Sequence, residues 1–213
     1  MTVTLYDYWR SSSAYRVRLA LALKGISYDR VSVDLTAGEQ LSPEHLALHP
    51  QGLVPVLKID GLVLVQSLAI IEYLEETRPE PALLPHDAGG RAHVRALAEA
   101  IACEIHPVSN LRVLVQVEAV GGKDARAAWN KDNIARGLAA FEKLLDHPGF
   151  EGLFCYGGMP SMADCVLVPQ LYNATRWGID WKHLPRIAAV AKTCAELPAF
   201  KATSPEQFRS GSK

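Results

Sequence analysis

Residues 3–21 read Val3-Thr4-Leu5-Tyr6-Asp7-Tyr8-Trp9-Arg10-Ser11-Ser12-Ser13-Ala14-Tyr15-Arg16-Val17-Arg18-Leu19-Ala20-Leu21. The first seven alternate apolar and polar side chains, the period-2 signature of a strand. After the polar run 10–13 the spacing becomes helical over 14–24, where Val17, Leu19, Ala20, Leu21 and Leu23 recur, and Gly25 stops it. Residues 28–33 alternate again. Strand, helix and strand in this order predict a βαβ unit.

Working outward, a helical patch covers 43–48, and two strands, 54–59 and 62–65, flank Asp60-Gly61. Asp-Gly between apolar runs is the strongest short hairpin signal. Ser67 opens an apolar stripe that continues to Glu76 before Pro79 halts it. The order is βαβ, helix, ββα. Three prolines, Pro79, Pro81 and Pro85, crowd residues 78–87 and resist helix and strand alike. We therefore expect domains at 1–80 and 88–213 with a linker at 81–87. The second domain is expected to be all-helical, with helices at 88–119, 124–146, 161–177 and 184–196. Ser161-Met162-Ala163-Asp164 has the spacing of a capping box, and Pro169 predicts a kink in the helix it starts.

The 213 residues are 49% hydrophobic and 21% charged, ordinary globular usage that excludes a disordered, collagenous or coiled-coil chain. Lysine and arginine total 22 against 23 acids, net −1, so no polyanion-binding field is expected. No apolar run reaches the ~18 residues of a membrane helix, and residues 1–7 lack the pattern of an export signal, so a soluble cytoplasmic protein is expected. Cys103, Cys155, Cys165 and Cys194 form no C-x-x-C pair and are expected to be buried free thiols. His45 and His49 are four apart but lack the H-E-x-x-H context, so we expect surface histidines and no metal site. No phosphate-binding glycine motif is present in the sequence.

The richest chemistry lies at 9–16. A helix N-terminus presents unpaired amides and partial positive charge to whatever precedes it, and serine hydroxyls add donors. An anion or thiolate is favoured there, although one serine also suffices simply to cap the helix. Val54-Pro55 opens a strand with either an edge proline or a cis-proline, which leaves the valine backbone free for a peptide-like ligand. Gln66-Ser67 begins the next helix, where amides hold a carboxylate. Three element starts are thus expected to converge on one sheet edge.

The stretch Ser11-Ser12-Ser13-Ala14-Tyr15-Arg16-Val17-Arg18-Leu19-Ala20-Leu21, with Val54-Pro55, residues 66–74, Pro81-Ala82-Leu83-Leu84-Pro85 and Ser161-Met162-Ala163-Asp164, resembles the zeta class of glutathione transferases. The resemblance runs from the first strand to at least Glu196. It implies an α/β thioredoxin-like domain followed by an all-α domain, a homodimer, glutathione as cofactor and a small dicarboxylate as substrate; the charge balance and the lack of a long apolar run separately predict no nucleic-acid or membrane partner. It further implies glutathione-dependent cis-trans isomerisation of maleylacetoacetate, in tyrosine breakdown. Maleylpyruvate is the alternative substrate. A general glutathione transferase or dehalogenase and a non-enzymatic glutathione-binding scaffold are competing readings.

By the same resemblance, Ser11, Ser12 and Ser13 cradle the glutathione sulfur, the Val54 backbone pairs with the cysteinyl unit, and Gln66 and Ser67 hold the γ-glutamyl carboxylate. Gln40, His106 and Asn110 line the site. The usual family motif is Ser-Ser-Cys, and Ser13 stands where that cysteine would be. A free thiol of pKa ~8.5 is only ~3% thiolate at pH 7, so activation comes first. Addition of the thiolate makes the double bond single, rotation follows, and elimination releases the fumaryl product. Two carboxylates and a developing enolate call for cations, and Arg10, Arg112 and Arg176 are the candidates, Arg10 and Arg176 also counting as catalytic. Arg16 and Arg18 are expected to be structural or dimer-facing.

Overall fold

In the computed structural model, which describes residues 2–209, the opening strand β1 (Thr4–Asp7) lies inside a four-stranded sheet. It pairs in parallel with β2 (Asp29–Ser32), Leu5 opposite Arg30, and antiparallel with β3 (Val56–Ile59), Leu5 opposite Leu57. β4 (Leu62–Val65) completes the order β2-β1-β3-β4. Asp60 and Gly61 join β3 to β4 with φ of 53° and 79°, the positive pair that a two-residue hairpin turn demands.

Helix α1 (Ser12–Leu23) follows β1, and α3 (Ser67–Thr77) follows β4; the two helices pack together. Leu5, Leu57, Val17, Leu21, Ile70, Ile71 and Leu74 are wholly buried, so the core lies between these helices and the sheet. Between β2 and β3 stands α2 (Pro43–Leu48), started by the Ser42 hydroxyl on the His45 amide and by Pro43 in its first turn. His45 and His49 are not surface residues: they are 5% and 2% exposed. The His45 Nε2–H donates to the Leu53 carbonyl at 2.7 Å, which draws the ring inward.

The chain divides into two compact units, Met1–Leu83 together with Leu197–Lys213, and Leu84–Glu196. Lys24 explains why the first reaches past the expected boundary at residue 80. Its buried ammonium meets Glu75 Oε2 and the carbonyls of Arg78 and Pro81 at 2.8, 2.8 and 2.9 Å, and Glu75 also accepts the Leu83 amide. The tail from Leu197 groups with this unit, not with the helical region to which the sequence assigned it. Its helix α9 (Pro198–Ala202) buries Phe200 and packs on α1.

In the second unit, α4 (Ala88–Glu99) is capped by the Asp87 carboxylate on the Gly90 amide and leads into a π-helical segment, Ala100–Ile105. Cys103, on the side of that segment away from buried Ile101 and Ile105, is exposed; the other three cysteines are buried, and none of the four is in a disulfide. The helix expected over 88–119 is interrupted. After α5 (His106–Val108) the chain turns at Ser109, and Asn110, in extended backbone, caps α6 (Leu111–Leu144). Within α6 the ladder breaks at Gly122, whose φ of 81° and ψ of 179° no helix contains. α7 (Met162–Arg176) continues through Pro169, and α8 (Pro185–Glu196) completes the unit. The Asp164 carboxylate reaches back to the amide and hydroxyl of Ser161, each at 2.7 Å, so the expected capping box forms. Among the described residues, no helix is long and apolar enough to cross a membrane.

Candidate active site

At the end of β1 the chain turns through residues 8–11, closed by the Ser11 amide on the Tyr8 carbonyl at 2.8 Å. Ser11 has extended backbone and caps α1, its Oγ accepting from the Ala14 amide at 3.2 Å. The hydroxyl proton remains available to an anion, so capping and anion binding are compatible in one serine. The first turn of α1 holds no acidic residue, so nothing there offsets the partial positive charge of the helix start. Ser12 is 8% exposed; Ser11 and Ser13 are half-buried.

Arg10 is held beside this turn by aromatic rings. Its guanidinium carbon lies 4.9 Å from the centre of Trp9 and 5.8 Å from that of Tyr8, and Nη2 donates to Tyr8 Oη at 3.0 Å. Tyr8 packs with Val33 and Val54 in a small apolar cluster that Tyr6, Trp9 and Leu35 border, which brings Val54 next to the turn. The Val54-Pro55 bond is cis, and Val54 precedes the first β3 residue, so its backbone takes no part in the sheet ladder.

The third element start is α3. Gln66, at its N-cap, holds φ 69° and ψ 115°, left-handed backbone that costs a side-chain-bearing residue ~1–3 kcal/mol. Its Nε2 donates to Gln51 Oε1 at 3.0 Å. Buried Ser67 accepts from Arg16 Nη1 at 3.2 Å, which ties the start of α3 to α1, and the first turn of α3 is also free of acids. Gln40, in a 3₁₀ turn over Glu39–Leu41, has a buried Oε1 with no hydrogen-bond partner. An orphaned acceptor, an unladdered backbone at Val54 and two acid-free helix starts fit an extended peptide that carries a carboxylate and an anionic sulfur.

Arg10, Ser11, Ser12, Ser13, Gln40, Val54, Gln66 and Ser67 thus all belong to the first unit, and packing or hydrogen bonds relate most of them. His106, Asn110, Arg112 and Arg176 belong to the second. His106 is half-buried in α5, and Asn110 Oδ1 accepts from the Arg112 amide at 3.3 Å, a capping role. Arg112 and Arg176 are exposed, in the first turn of α6 and the last turn of α7. Sequence reasoning missed Trp9 as the platform for Arg10, a contact legible from their adjacency. It also missed Arg209, whose guanidinium carbon lies 5.6 Å from the Trp9 ring centre and which no local pattern connects to residue 9.

Residues 1–76 match the family described as "Glutathione S-transferase, N-terminal domain", and 123–196 match "Glutathione S-transferase, C-terminal domain". The chain is 54% identical to the maleylacetoacetate isomerase of Rhizobium meliloti, across 96% of this chain and 97% of that protein. It is 45% identical to the maleylpyruvate isomerase of a Ralstonia species, across 94% and 96%. A holo structure of maleylpyruvate isomerase, described as a bacterial glutathione S-transferase in the zeta class, superposes with TM-score 0.93 at 43% identity, covering 99% of this chain and 100% of that one. The maleylacetoacetate isomerase of Methylobacterium extorquens AM1, solved with bound malonate and glutathione, gives TM-score 0.93 at 37% identity, covering 99% of each chain. At these identities over nearly its whole length, the chain belongs to the glutathione S-transferase family, among the zeta-class maleylacetoacetate and maleylpyruvate isomerases.

Proposed function

We propose that this protein isomerises maleylacetoacetate to fumarylacetoacetate with glutathione as cofactor. The observation that carries the reading is the Ser11 turn: a hydroxyl that caps α1 while keeping its proton, at a helix start with no acid to offset it. Glutathione, when bound, supplies a sulfur nucleophile whose reversible addition turns the maleyl double bond into a rotatable single bond. Ser11 and Ser12 donate to the sulfur and hold it ionised at neutral pH; Ser13 lines the same turn. The Val54 backbone pairs with the cysteinyl unit, while Gln66, Ser67 and the start of α3 hold the γ-glutamyl carboxylate. Gln40, His106 and Asn110 complete the binding residues. Arg10, Arg112 and Arg176 bind the substrate carboxylates, and Arg10, nearest in sequence to the serines, steadies charge that develops beside the reacting carbon.

The 45% identity to a maleylpyruvate isomerase supports maleylpyruvate as a second substrate. The protein acts as a homodimer; Leu62 and Val63, 46% and 47% exposed on edge strand β4, are the kind of apolar edge that a partner covers. Four cysteines outside any disulfide suit a reducing, cytoplasmic setting.

The test is turnover of maleylacetoacetate and of maleylpyruvate by purified protein with glutathione. Conversion with no net loss of glutathione supports an isomerase, and kcat/KM on each compound assigns the substrate. Stoichiometric loss of glutathione would make the protein a transferase instead, and glutathione binding without conversion of either compound would make it a scaffold.

A further inference from the structure

The C-terminal segment delivers an arginine to the serine turn. Buried Asp7 holds Arg18 and, through Nε at 2.8 Å, Arg30. Both guanidinium groups then grip Phe208. Arg18 lies 4.6 Å over its ring and Arg30 5.4 Å, and Arg30 Nη1 donates to the Phe208 carbonyl at 3.1 Å. The residue after this anchor, Arg209, reaches the same indole that Arg10 occupies, so arginines from opposite ends of the chain share Trp9.

With Tyr8, Asp34, Thr36 and Glu39, the two arginines line one open cleft of about 550 Å³. Its two acids bond to their own loop, and Asp34 also feels the charge of Arg10, so a carboxylate is best seated in the part of the cleft where the second arginine adds positive charge. Asp34 Oδ1 accepts the amide and hydroxyl of Thr36 at 2.8 and 2.7 Å, and Glu39 Oε2 accepts the Asp34 amide at 2.6 Å. Both arginines rest against aromatic rings, which leaves guanidinium N–H groups at the rim for a planar anion.

We propose that Arg209 joins Arg10 in seating a substrate carboxylate, so that the C-terminal segment is part of the substrate site. This rests on the isomerase reading of the serine turn. A maleyl compound is a dicarboxylate, and a carboxylate beside the reacting carbons falls next to Arg10. Paired guanidinium groups suit one carboxylate better than a single arginine does, because each oxygen takes its own donors.

The test uses the full chain loaded with glutathione, with malonate as the probe of the carboxylate seat, read by titration calorimetry. Arg209→Ala should weaken malonate about fivefold at low salt and leave glutathione affinity within about twofold, the scale of an exposed ion pair. Its malonate affinity should also fall less steeply with added salt than the wild type's. Arg209→Lys should recover part of the loss, and Phe208→Ala, which removes the anchor, should reproduce it. Unchanged malonate binding in Arg209→Ala, or a wild type that does not bind malonate, would overturn the proposal. So would an equal loss of glutathione and malonate, which would report a displaced tail. A wild type that binds malonate through Arg209 yet converts neither maleyl compound would sink the isomerase reading and leave the carboxylate seat standing.

Discussion

Asp7 and Arg18 meet through a single nitrogen: Arg18 Nη1 donates to both oxygens of the Asp7 carboxylate, at 2.8 and 2.7 Å, with both side chains sealed from solvent. Arg18 Nη2 donates onward to the Trp9 carbonyl at 3.0 Å, so the pair also fixes the chain as it leaves β1 for the serine turn. Removing one member of a buried pair leaves the other charged, unpaired and dry, at a cost of ~3–5 kcal/mol. Asp7→Ala should therefore lower the stability read from urea unfolding by about that amount. The double variant Asp7→Leu with Arg18→Met should regain part of the loss, since it removes the two wholly buried charges; Arg30, which also loses Asp7, has a side chain 22% exposed and keeps contact with water. A double variant no more stable than Asp7→Ala would place the cost in packing or in the stranded Arg30, which Arg30→Met on the double background separates.

Ser11 links stability to chemistry. Ser11→Ala loses the cap on the Ala14 amide and should cost ~1 kcal/mol of stability. It also loses the hydroxyl proton proposed to face the sulfur. The pKa of bound glutathione, followed by the ultraviolet absorbance of its thiolate, should rise, and turnover at pH 7 should fall about tenfold, which corresponds to ~1.4 kcal/mol. Ser11→Gly separates the two effects, because glycine is a tolerable cap but donates nothing: stability should stay close to wild type while the thiolate titration shifts as in alanine. A titration that does not move in either variant would take the sulfur away from Ser11.

What could be read in advance follows the range of the interaction. The strands, the Asp60-Gly61 hairpin, α2 and the capping box all come from signals spaced one to four residues apart, and each forms close to where the pattern lies. The three element starts were legible for the same reason, since N-caps and X-Pro bonds are local. What failed is non-local. His45 on the short helix α2 and His49 at its C-cap are polar, yet both are buried, His45 with the Leu53 carbonyl as its partner. The tail from Leu197 continues a helical composition, and only the Asp7, Arg18, Arg30 and Phe208 cluster, spread over two hundred positions, reveals that it returns to the first unit. The break near Pro107 and Asn110 was available in the residues themselves. There the apolar stripe of 88–119 outweighed a proline and a capping asparagine in the reading, and the backbone followed the proline and the cap.

Asp164 tests how far a local motif depends on its charge. Oδ1 accepts the Cys155 amide at 2.8 Å, and Oδ2 accepts the amide and hydroxyl of Ser161. Burial lifts its pKa above the ordinary carboxylate range, while the donors from Cys155 and Ser161 pull the other way. Both oxygens face donors, so Asp164→Asn must aim its NH₂ at an N–H. That change should cost ~3 kcal/mol despite the matching shape, whereas Ser161→Ala should cost only ~1. Equal losses in the two variants, measured by urea unfolding, would mean that the amide finds an orientation with no opposed donor.

His147 should make the second unit sensitive to mild acid. In the loop between α6 and α7 its Nδ1 accepts the Gly149 amide at 3.1 Å, so the proton must sit on Nε2, which donates to the Cys155 carbonyl at 3.1 Å. A second proton would place Nδ1–H against the Gly149 N–H. The His93 ring centre is 3.9 Å away and Tyr156 stacks at 5.5 Å, while the Asp146 carboxylate favours the charged form weakly. Partial burial first, and the His93 charge second, hold the His147 pKa below its ordinary value of 6.5. The folded protein thus binds fewer protons at this ring than the unfolded chain. The stabilising contribution is complete above that ordinary value and is lost as the pH falls through the lower, folded one. The urea midpoint should therefore drop between about pH 7.5 and pH 5.5. His147→Phe keeps the ring contacts but removes the titration, so its midpoint should be lower than wild type at the upper pH and vary less across the range. A variant whose midpoint follows the same slope as wild type would assign the acid sensitivity to another group.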